Sequence, residues 1–396
     1  MKKNLLFVID SLECAGAEKS LVTLLSMLDY KKYNADLMLF GFGGALEDLL
    51  PKEVNLLEPL SYTTYTKLNY IQALQHSFEK MNFKMLASRI KYSLRLRTKN
   101  FTNPQKARLF WESSANVIET NQTEYDIAIS YAQGIPTFYV AEKVKAKKKF
   151  AWVNASLKLE KKEIDFQKSF YDHFNRIVAV SETTKGIFIE TFPFYKHKVE
   201  VIYDINNPQF ISKMASIENG YDDGFKGIKI LTIGRLAELK GYDIALEACK
   251  ILREKGIQFR WYVLGKGPQR EKIEKYIEEN TMSDYFVLLG VKVNPYPYIK
   301  NADIYVQTSR SEGFGLAIAE ARMLNIPVVT TRFDSVFNQM MHEKNGLVVD
   351  INPIAVANGI IKLIEDVNLK EEIINYLITE KKGNTEELNK VYELIG

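Results

Sequence analysis

The chain is poor in cysteine: Cys14 and Cys249 are the only two in 396 residues, they lie far apart, and neither falls in a metal-ligand spacing. A disulfide framework is excluded, structural zinc is not suggested, and a reduced, cytoplasmic setting is the expectation. The sequence also lacks any run of eighteen apolar residues, so no membrane-spanning helix is expected. No Asp-x-Asp pair suited to clamping a metal is present, which makes metal independence an expectation. The loop after the first apolar run, DSLECAGAE, has no G-x-G-x-x-G turn and so lacks the main signal of a nicotinamide-dependent oxidoreductase. Short repeats of the solenoid kind are missing, and so is any recognised nucleic-acid-binding motif.

What is present is a globular composition, 46% apolar, in a chain long enough for two domains of roughly 150 to 200 residues, each able to bury a substantial core. The N-terminal MKKNLLFVIDSLECAGAE begins like a signal peptide, with two lysines and a short apolar run. Asp10 and Glu13 break that run early, and a first buried strand over Asn4 to Ile9 accounts for it better. Net charge is only +4 but unevenly spread: residues 61–110 hold ten Lys or Arg against the single acid Glu79, a local balance of +9 that leaves −5 for the rest. Such asymmetry points to an anionic partner. Within it, MNFKMLASRIKYSLRLRTKNF spaces Met, Leu, Ile and Tyr among cations at helical intervals. Two readings stand side by side. Residues 78–110 contact an anionic membrane surface or a lipid-diphosphate acceptor, or they form a solvated amphipathic helix packed on the N-terminal domain. Nucleic acid is not an expected partner.

Apolar runs alternate with helical patterns along the whole chain. In the N-terminal half LLFVI, DLMLFGF, YDIAIS, KFAWV and RIVAV suit short buried parallel strands, VEVIYDINNP reads as the last strand, and KSLVTLLSMLDY as the first helix. Pro208 and the polar stretch to Gly227 read as a hinge region. The C-terminal half alternates more cleanly, through the strands KILTIGR, FRWYVLG and YFVLLG and the helices YDIALEACKILREKG and QREKIEKYIEENT. Such alternation predicts an α/β architecture of doubly wound parallel sheets. Residues 1–207 form one expected domain, with a basic amphipathic insertion over about 61–110, and residues 208–396 the other.

The most informative stretch is SRSEGFGLAIAEA, Ser309 to Ala321. ADIYVQTS before it reads as a buried strand, and NIPVVTT after it as a turn into another. A strand–loop–helix–strand unit puts a helix N-terminus at the carboxyl edge of a parallel sheet, where free backbone N–H groups and the helix dipole favour a phosphate. Gly313 and Gly315 have no Cβ to hold a ligand off the backbone. Glu312 in the loop and Glu320 on the helix, eight positions apart, then flank an anion site. That arrangement suits a diphosphate with hydroxyls at both ends, as in a sugar nucleotide. The alternative is an exposed loop acid and a helix-surface acid that share a spacing by chance. A second constellation, TIGRLAELKGYD, places Arg235 after a strand and Lys240 before a helix, so a diphosphate at the sheet edge would meet two cations. Each charge-assisted hydrogen bond is worth about 1.5–3 kcal/mol. Otherwise Lys240 is a solvated helix-start residue and Arg235 a structural ion-pair partner.

These segments resemble the signatures of the retaining glycosyltransferases of family four, strongly over Ile228 to Asp350 and more weakly before it. EGFGLAIAEA is similar to that family's Glu-x7-Glu segment, and GRLAELKG to its Gly-Arg to Lys-Gly motif. The resemblance implies the GT-B fold, two Rossmann-like doubly wound domains facing across a cleft, with the last helix crossing back to the N-terminal domain. It implies that Arg235 and Lys240 bind the donor diphosphate, Glu312 contacts the donor sugar near the reacting face, and Glu320 accepts hydrogen bonds from the ribose hydroxyls. Phe314, Gly315 and Leu316, beside Gly313, would supply backbone N–H groups to sugar or phosphate. Gly290 and Val291, in VLLGVKV, match the position where the family reads the nucleobase through backbone groups. CAGAEKS resembles the glycine-rich turn after the first strand, which faces donor phosphate or acceptor; Gly16 fits it, and Ala15 stands where a second glycine is usual. AWVNAS matches a segment in which the family carries a sugar-contacting histidine. Asn154 takes that place here, able to donate and accept but not to carry charge. His173 is read as a helix-surface residue rather than its substitute, and Ser181, in RIVAVSE, matches a serine that faces the cleft.

The implied activity is transfer of a hexosyl or N-acetylhexosaminyl unit from a nucleoside-diphosphate sugar, UDP- ahead of GDP-, to a cell-surface glycan or lipid-linked acceptor. The implied route is front-face transfer through an oxocarbenium-like state, the leaving phosphate helping to deprotonate the acceptor. The donor is a substrate, so no cofactor and no metal are expected. The implied place is the cytoplasm, peripheral on the inner membrane face if the basic segment binds lipid. Asn154 keeps a second class open, a non-catalytic glycosyltransferase-like subunit partnering an active one. A nucleotide-dependent oxidoreductase would share the doubly wound domains but needs the missing turn.

Overall fold

The computed structural model describes every residue except Met1, Cys14, Ala15, Asn82, Thr98, Lys99, 156–158 and Glu218. The expectations for Cys14, Ala15 and the end of AWVNAS therefore lie outside the described residues. The chain packs as two compact units. One comprises Met1–Glu13, Ala17–Ile202 and Lys390–Gly396, and the other Cys14–Gly16 and Tyr203–Asn389.

The first unit opens with β1 (Lys3–Ile9), α1 (Gly16–Met27), β2 (Tyr33–Leu39) and β3 (Val54–Leu56). Four helices follow: α2 (Ser61–Lys67), α3 (Tyr70–Glu79), α4 (Phe83–Leu96) and α5 (Asn103–Ser114). Strands and helices then alternate through β4 (Glu124–Ser130), α6 (Ile135–Lys143), β5 (Lys145–Val153), α7 (Lys161–Tyr171), β6 (Arg176–Ala179), α8 (Glu182–Thr191) and β7 (Val199–Val201). All seven strands are parallel, in the order β3-β2-β1-β4-β5-β6-β7. Leu5 to Ile9 of the inner strand β1 are buried throughout, which is why they read as a continuous apolar run rather than an alternating one. The basic stretch is not one helix. Asn69 and Gln72 form a reciprocal capping box that starts α3, and Thr102 and Gln105, with Pro104 in the first turn, do the same for α5.

The second unit runs through α9 (Pro208–Met214), β8 (Ile228–Ile233), α10 (Tyr242–Glu254), β9 (Phe259–Leu264), α11 (Arg270–Glu279), β10 (Phe286–Gly290) and α12 (Tyr296–Lys300). It continues with β11 (Ile304–Gln307), α13 (Leu316–Met323), β12 (Val328–Thr331) and β13 (Leu347–Val349), then α14 (Pro353–Glu365), α15 (Val367–Thr379) and the start of α16 (Glu387–Ile395), whose residues from Lys390 onward belong to the first unit. Its six strands are parallel, in the order β10-β9-β8-β11-β12-β13. Pro208, read as a hinge marker, instead opens α9: proline needs no N–H partner in the first turn, and the Asn207 side chain accepts from the Phe210 amide at 3.2 Å. Among the described residues no helix is long and apolar enough to cross a membrane.

Candidate functional site

In the second sheet β8 pairs with β9 on one side and β11 on the other, so the chain reverses direction between β8 and β11. Ligands of open α/β sheets bind at the carboxyl ends of strands at such a switch point. Arg235 follows β8 and Glu312 follows β11, one on each side of it. The two loops touch through their backbones. Gly241 is left-handed, φ 66°, and a Cβ there would stand 2.0 Å from the Thr308 carbonyl oxygen; only glycine fits. The Thr308 hydroxyl donates to the Lys240 carbonyl at 2.9 Å, and the Arg310 amide to that of Leu239 at 2.7 Å. Arg310 also grips Asp243 through two nitrogens, at 2.9 and 2.6 Å, which holds the Asp243 carboxyl below its usual range.

This clamp brings Lys240 to Glu312, 2.5 Å from Nζ to Oε1. The same oxygen accepts from Gln307 Nε2 at 2.8 Å and from the Ser309 hydroxyl at 2.7 Å. Three donors thus converge on one carboxylate oxygen, while Oε2 takes no hydrogen bond from any described residue. Gln307 is oriented in turn, because the Tyr305 hydroxyl donates to its Oε1 at 2.6 Å. Burial, with the charge of Glu312 nearby, pushes the phenols of Tyr242 and Tyr305 upward, so both stay protonated donors. The loop main chain is held as well. Ser335 donates to the Glu312 carbonyl at 2.9 Å, and Gln339 Nε2 donates to the carbonyls of Phe314 and Gly315. Gly315 caps α13 in the left-handed region at φ 83°. Glu320, one turn into α13, is only 3% exposed and accepts from the Tyr296 hydroxyl at 3.2 Å.

Neither glutamate is therefore the solvated acid of the chance reading. For the cations the structure reverses the bland alternatives: Lys240 is the ion-paired residue, and Arg235 is exposed, its guanidinium without a hydrogen bond or ion pair to any described residue. Gly290 ends β10 at φ 72° and accepts from the Gly265 amide at 2.8 Å; Val291 follows it, half-buried. Gly313 lies at a bend between Glu312 and Phe314. Sequence reasoning passed over Gln307, Ser309, Ser335 and Gln339. The available signal was the polar run QTS closing an otherwise apolar strand, since buried polar side chains need partners.

Gly16 is the exposed opening residue of α1. Asn154 follows β5 and donates from Nδ2 to the Tyr131 carbonyl at 2.5 Å, and its buried Oδ1 has no partner among the described residues. Ser181, expected to face a cleft, is fully buried and caps α8: its hydroxyl accepts from the Thr184 amide at 3.0 Å and donates to Thr184 Oγ1 at 2.9 Å. His173 is exposed in the turn just beyond α7. Among the described residues no group of three or more His, Cys, Asp or Glu side chains is placed to hold a metal.

Residues 223–379 match the family model described as glycosyl transferases group 1. An uncharacterized glycosyltransferase of Methanocaldococcus jannaschii is 29% identical over 168 residues, 41% of this chain and 41% of that protein. The capsular polysaccharide biosynthesis glycosyltransferase CapM of Staphylococcus aureus is 26% identical over 211 residues, 50% of this chain and 54% of the relative. The chain thus spans about half or less of the length of these curated relatives. Among solved structures, Anabaena HepE in complex with UDP and glucose superposes with a TM-score of 0.69 at 17% identity, covering 99% of this chain and 98% of that one. Two Rossmann-like parallel-sheet domains of this kind are the GT-B architecture, and the chain has that fold.

Proposed function

We propose that the chain is a retaining glycosyltransferase, moving a hexosyl or N-acetylhexosaminyl unit from a UDP-sugar to a cell-surface glycan or lipid-linked acceptor on the cytoplasmic side. The anchoring of Glu312 carries this reading: three donors fix Oε1, and Oε2 is left for a donor-sugar hydroxyl. In this scheme Arg235, with no protein partner among the described residues, meets the diphosphate, and Lys240 spans phosphate and Glu312. Backbone N–H groups of Phe314, Gly315 and Leu316 face the leaving group, Glu320 takes the ribose hydroxyls, and Gly290 with Val291 borders the base. The bond between the anomeric carbon and the β-phosphate oxygen breaks with both electrons leaving on UDP, where fixed cations and amides offset the growing charge. The acceptor hydroxyl attacks the same face, and its proton passes to the departing phosphate. The anomeric configuration is kept, and no metal takes part. The UDP and glucose bound by HepE favour uridine as the base, and the capsular role in the name of CapM favours a polysaccharide acceptor.

The test is incubation of the pure protein with a panel of UDP- and GDP-sugars. One UDP-sugar should be hydrolysed slowly without acceptor, at a rate unchanged by EDTA. UDP binding with no turnover of any donor would favour the non-catalytic subunit, and abolition by EDTA would overturn the metal-free scheme.

A further inference from the structure

Helix α3 is built inside out, and α4, which buries Met85, carries an outward apolar stripe as well. On α3 the residues turned to the protein are small: Ala73 and Ser77 are buried, and the Tyr65 hydroxyl meets Ser77 Oγ at 2.9 Å and the Ala73 carbonyl at 3.2 Å. The large apolar side chains point to water. Ile71 is 70% exposed and Phe78 66%, with Leu74 exposed between them. Spacing of i, i+3 and i+7 puts these three on one stripe. On α4 Met85 and Ser88 face inward, while Phe83, Ala87, Ile90 and Leu94 are exposed at i, i+4, i+7 and i+11, a second narrow stripe. The stripes meet where the helices join: the Phe78 and Phe83 rings stand edge to face at 5.3 Å, beside Met81, which is 82% exposed.

A helix pair that merely packed on its domain would turn Ile71, Leu74 and Phe78 inward, because burying each such side chain is worth about 1.5–3 kcal/mol. An apolar band this long, left facing water, marks a surface with a second environment. Its rim identifies that environment. Lys67, Lys80, Lys84 and Arg97 are exposed and carry no ion pair with any described residue, and Lys91 makes only a 3.3 Å contact to the Glu112 carbonyl. Glu79 is the single acid between residues 61 and 110. Apolar stripes edged by free lysines match a bilayer with anionic headgroups, where the stripe enters the acyl boundary and the cations stay with the phosphates.

We infer that the α3–α4 pair lays its outward face onto an anionic membrane surface. The inference rests on this face alone and holds or fails independently of the glycosyl-transfer reading. It also redraws the 78–110 stretch expected from the sequence. The contact begins at α3, and α5 is excluded, since Arg108 is buried against Glu163 at 2.9 Å and Glu112 at 2.8 Å.

Flotation of the full chain with vesicles tests this. The protein should rise with phosphatidylcholine vesicles containing phosphatidylglycerol and remain at the bottom with phosphatidylcholine alone. Phe78→Ser with Phe83→Ser, and separately Lys80→Glu with Lys84→Glu, should each lower the bound fraction roughly tenfold. Circular dichroism should be unchanged, because all four side chains are exposed. Equal flotation with both lipids, no flotation, or variants that float like the parent would overturn the proposal. A dimer in sedimentation that falls to monomer in the phenylalanine variant, with no lipid binding, would assign the face to a second copy instead.

Discussion

The division of labour between Lys240 and Arg235 is decided at single atoms. Lys240 is already 2.5 Å from Glu312, so much of its charge is spent inside the protein, whereas the Arg235 guanidinium is solvated. Arg235→Ala should therefore weaken UDP binding by about 1.5–3 kcal/mol, tenfold or more, with little change in stability, as read by calorimetric titration. Gln307→Leu should do the opposite. It removes one of three donors from Glu312 Oε1 and takes the nearer acceptor from the Tyr305 hydroxyl, which keeps only the Ile233 carbonyl at 3.3 Å, so the carboxylate is no longer held in one orientation. UDP affinity should stay near the parent value while kcat falls about tenfold. A Gln307→Leu protein with normal kcat would mean that the convergence on Glu312 is structural only.

At the scale of elements, the contact between the β8 and β11 loops depends on one glycine. Ala at 241 would have to adopt φ 66° and also push its Cβ against the Thr308 carbonyl. Gly256, at φ 74° after α10, has nothing within 4 Å of the same position and supplies the control. Gly256→Ala should cost about 1 kcal/mol, the conformational term alone. Gly241→Ala should cost about 3 kcal/mol or more in denaturant unfolding, and it should also lower donor turnover because Lys240 moves with the loop. Equal costs would show that the loops yield without penalty. This scale also shows what the sequence carries. The unit around SRSEGFGLAIAEA was legible, because an apolar strand, a glycine-rich loop and an apolar helix follow one another locally. The pairing of Lys240 with Glu312 was not, since it joins residues brought together only by β8 lying against β11. β3 and β13, three residues each, are too short to show a period. The amphipathic character of α3 and α4 was visible, but which face points outward was not: the usual rule buries the larger apolar side, and on α3 small side chains, Ala73 and Ser77, are buried instead.

At the scale of the molecule, the chain leaves the first unit at Ile202 and re-enters it at Lys390, so the last seven residues belong to a unit whose remainder ended far earlier. Tyr392 accounts for much of their attachment. Its ring stacks on Tyr33 at 5.9 Å with 7° between planes, and its hydroxyl accepts from the Asp29 amide at 2.9 Å and donates to the Met27 carbonyl at 3.1 Å. Lys3 adds a hydrogen bond from Nζ to the Ile395 carbonyl at 3.1 Å. Tyr392→Ala removes the stack and leaves two backbone groups to water. A half-buried aromatic of this kind should cost about 2 kcal/mol, below the 3–5 kcal/mol of a fully buried ring. Hydrogen exchange on the intact chain locates the effect. Amides of β1 and β2, which pair along Lys3 to Ile9, should exchange roughly thirtyfold faster, the equilibrium equivalent of that cost, while amides of β8 to β11 keep the parent rate. Faster exchange in both sheets would mean that the two units unfold as one, and unchanged exchange in β1 and β2 would mean that the terminal segment adds no stability to the unit it joins.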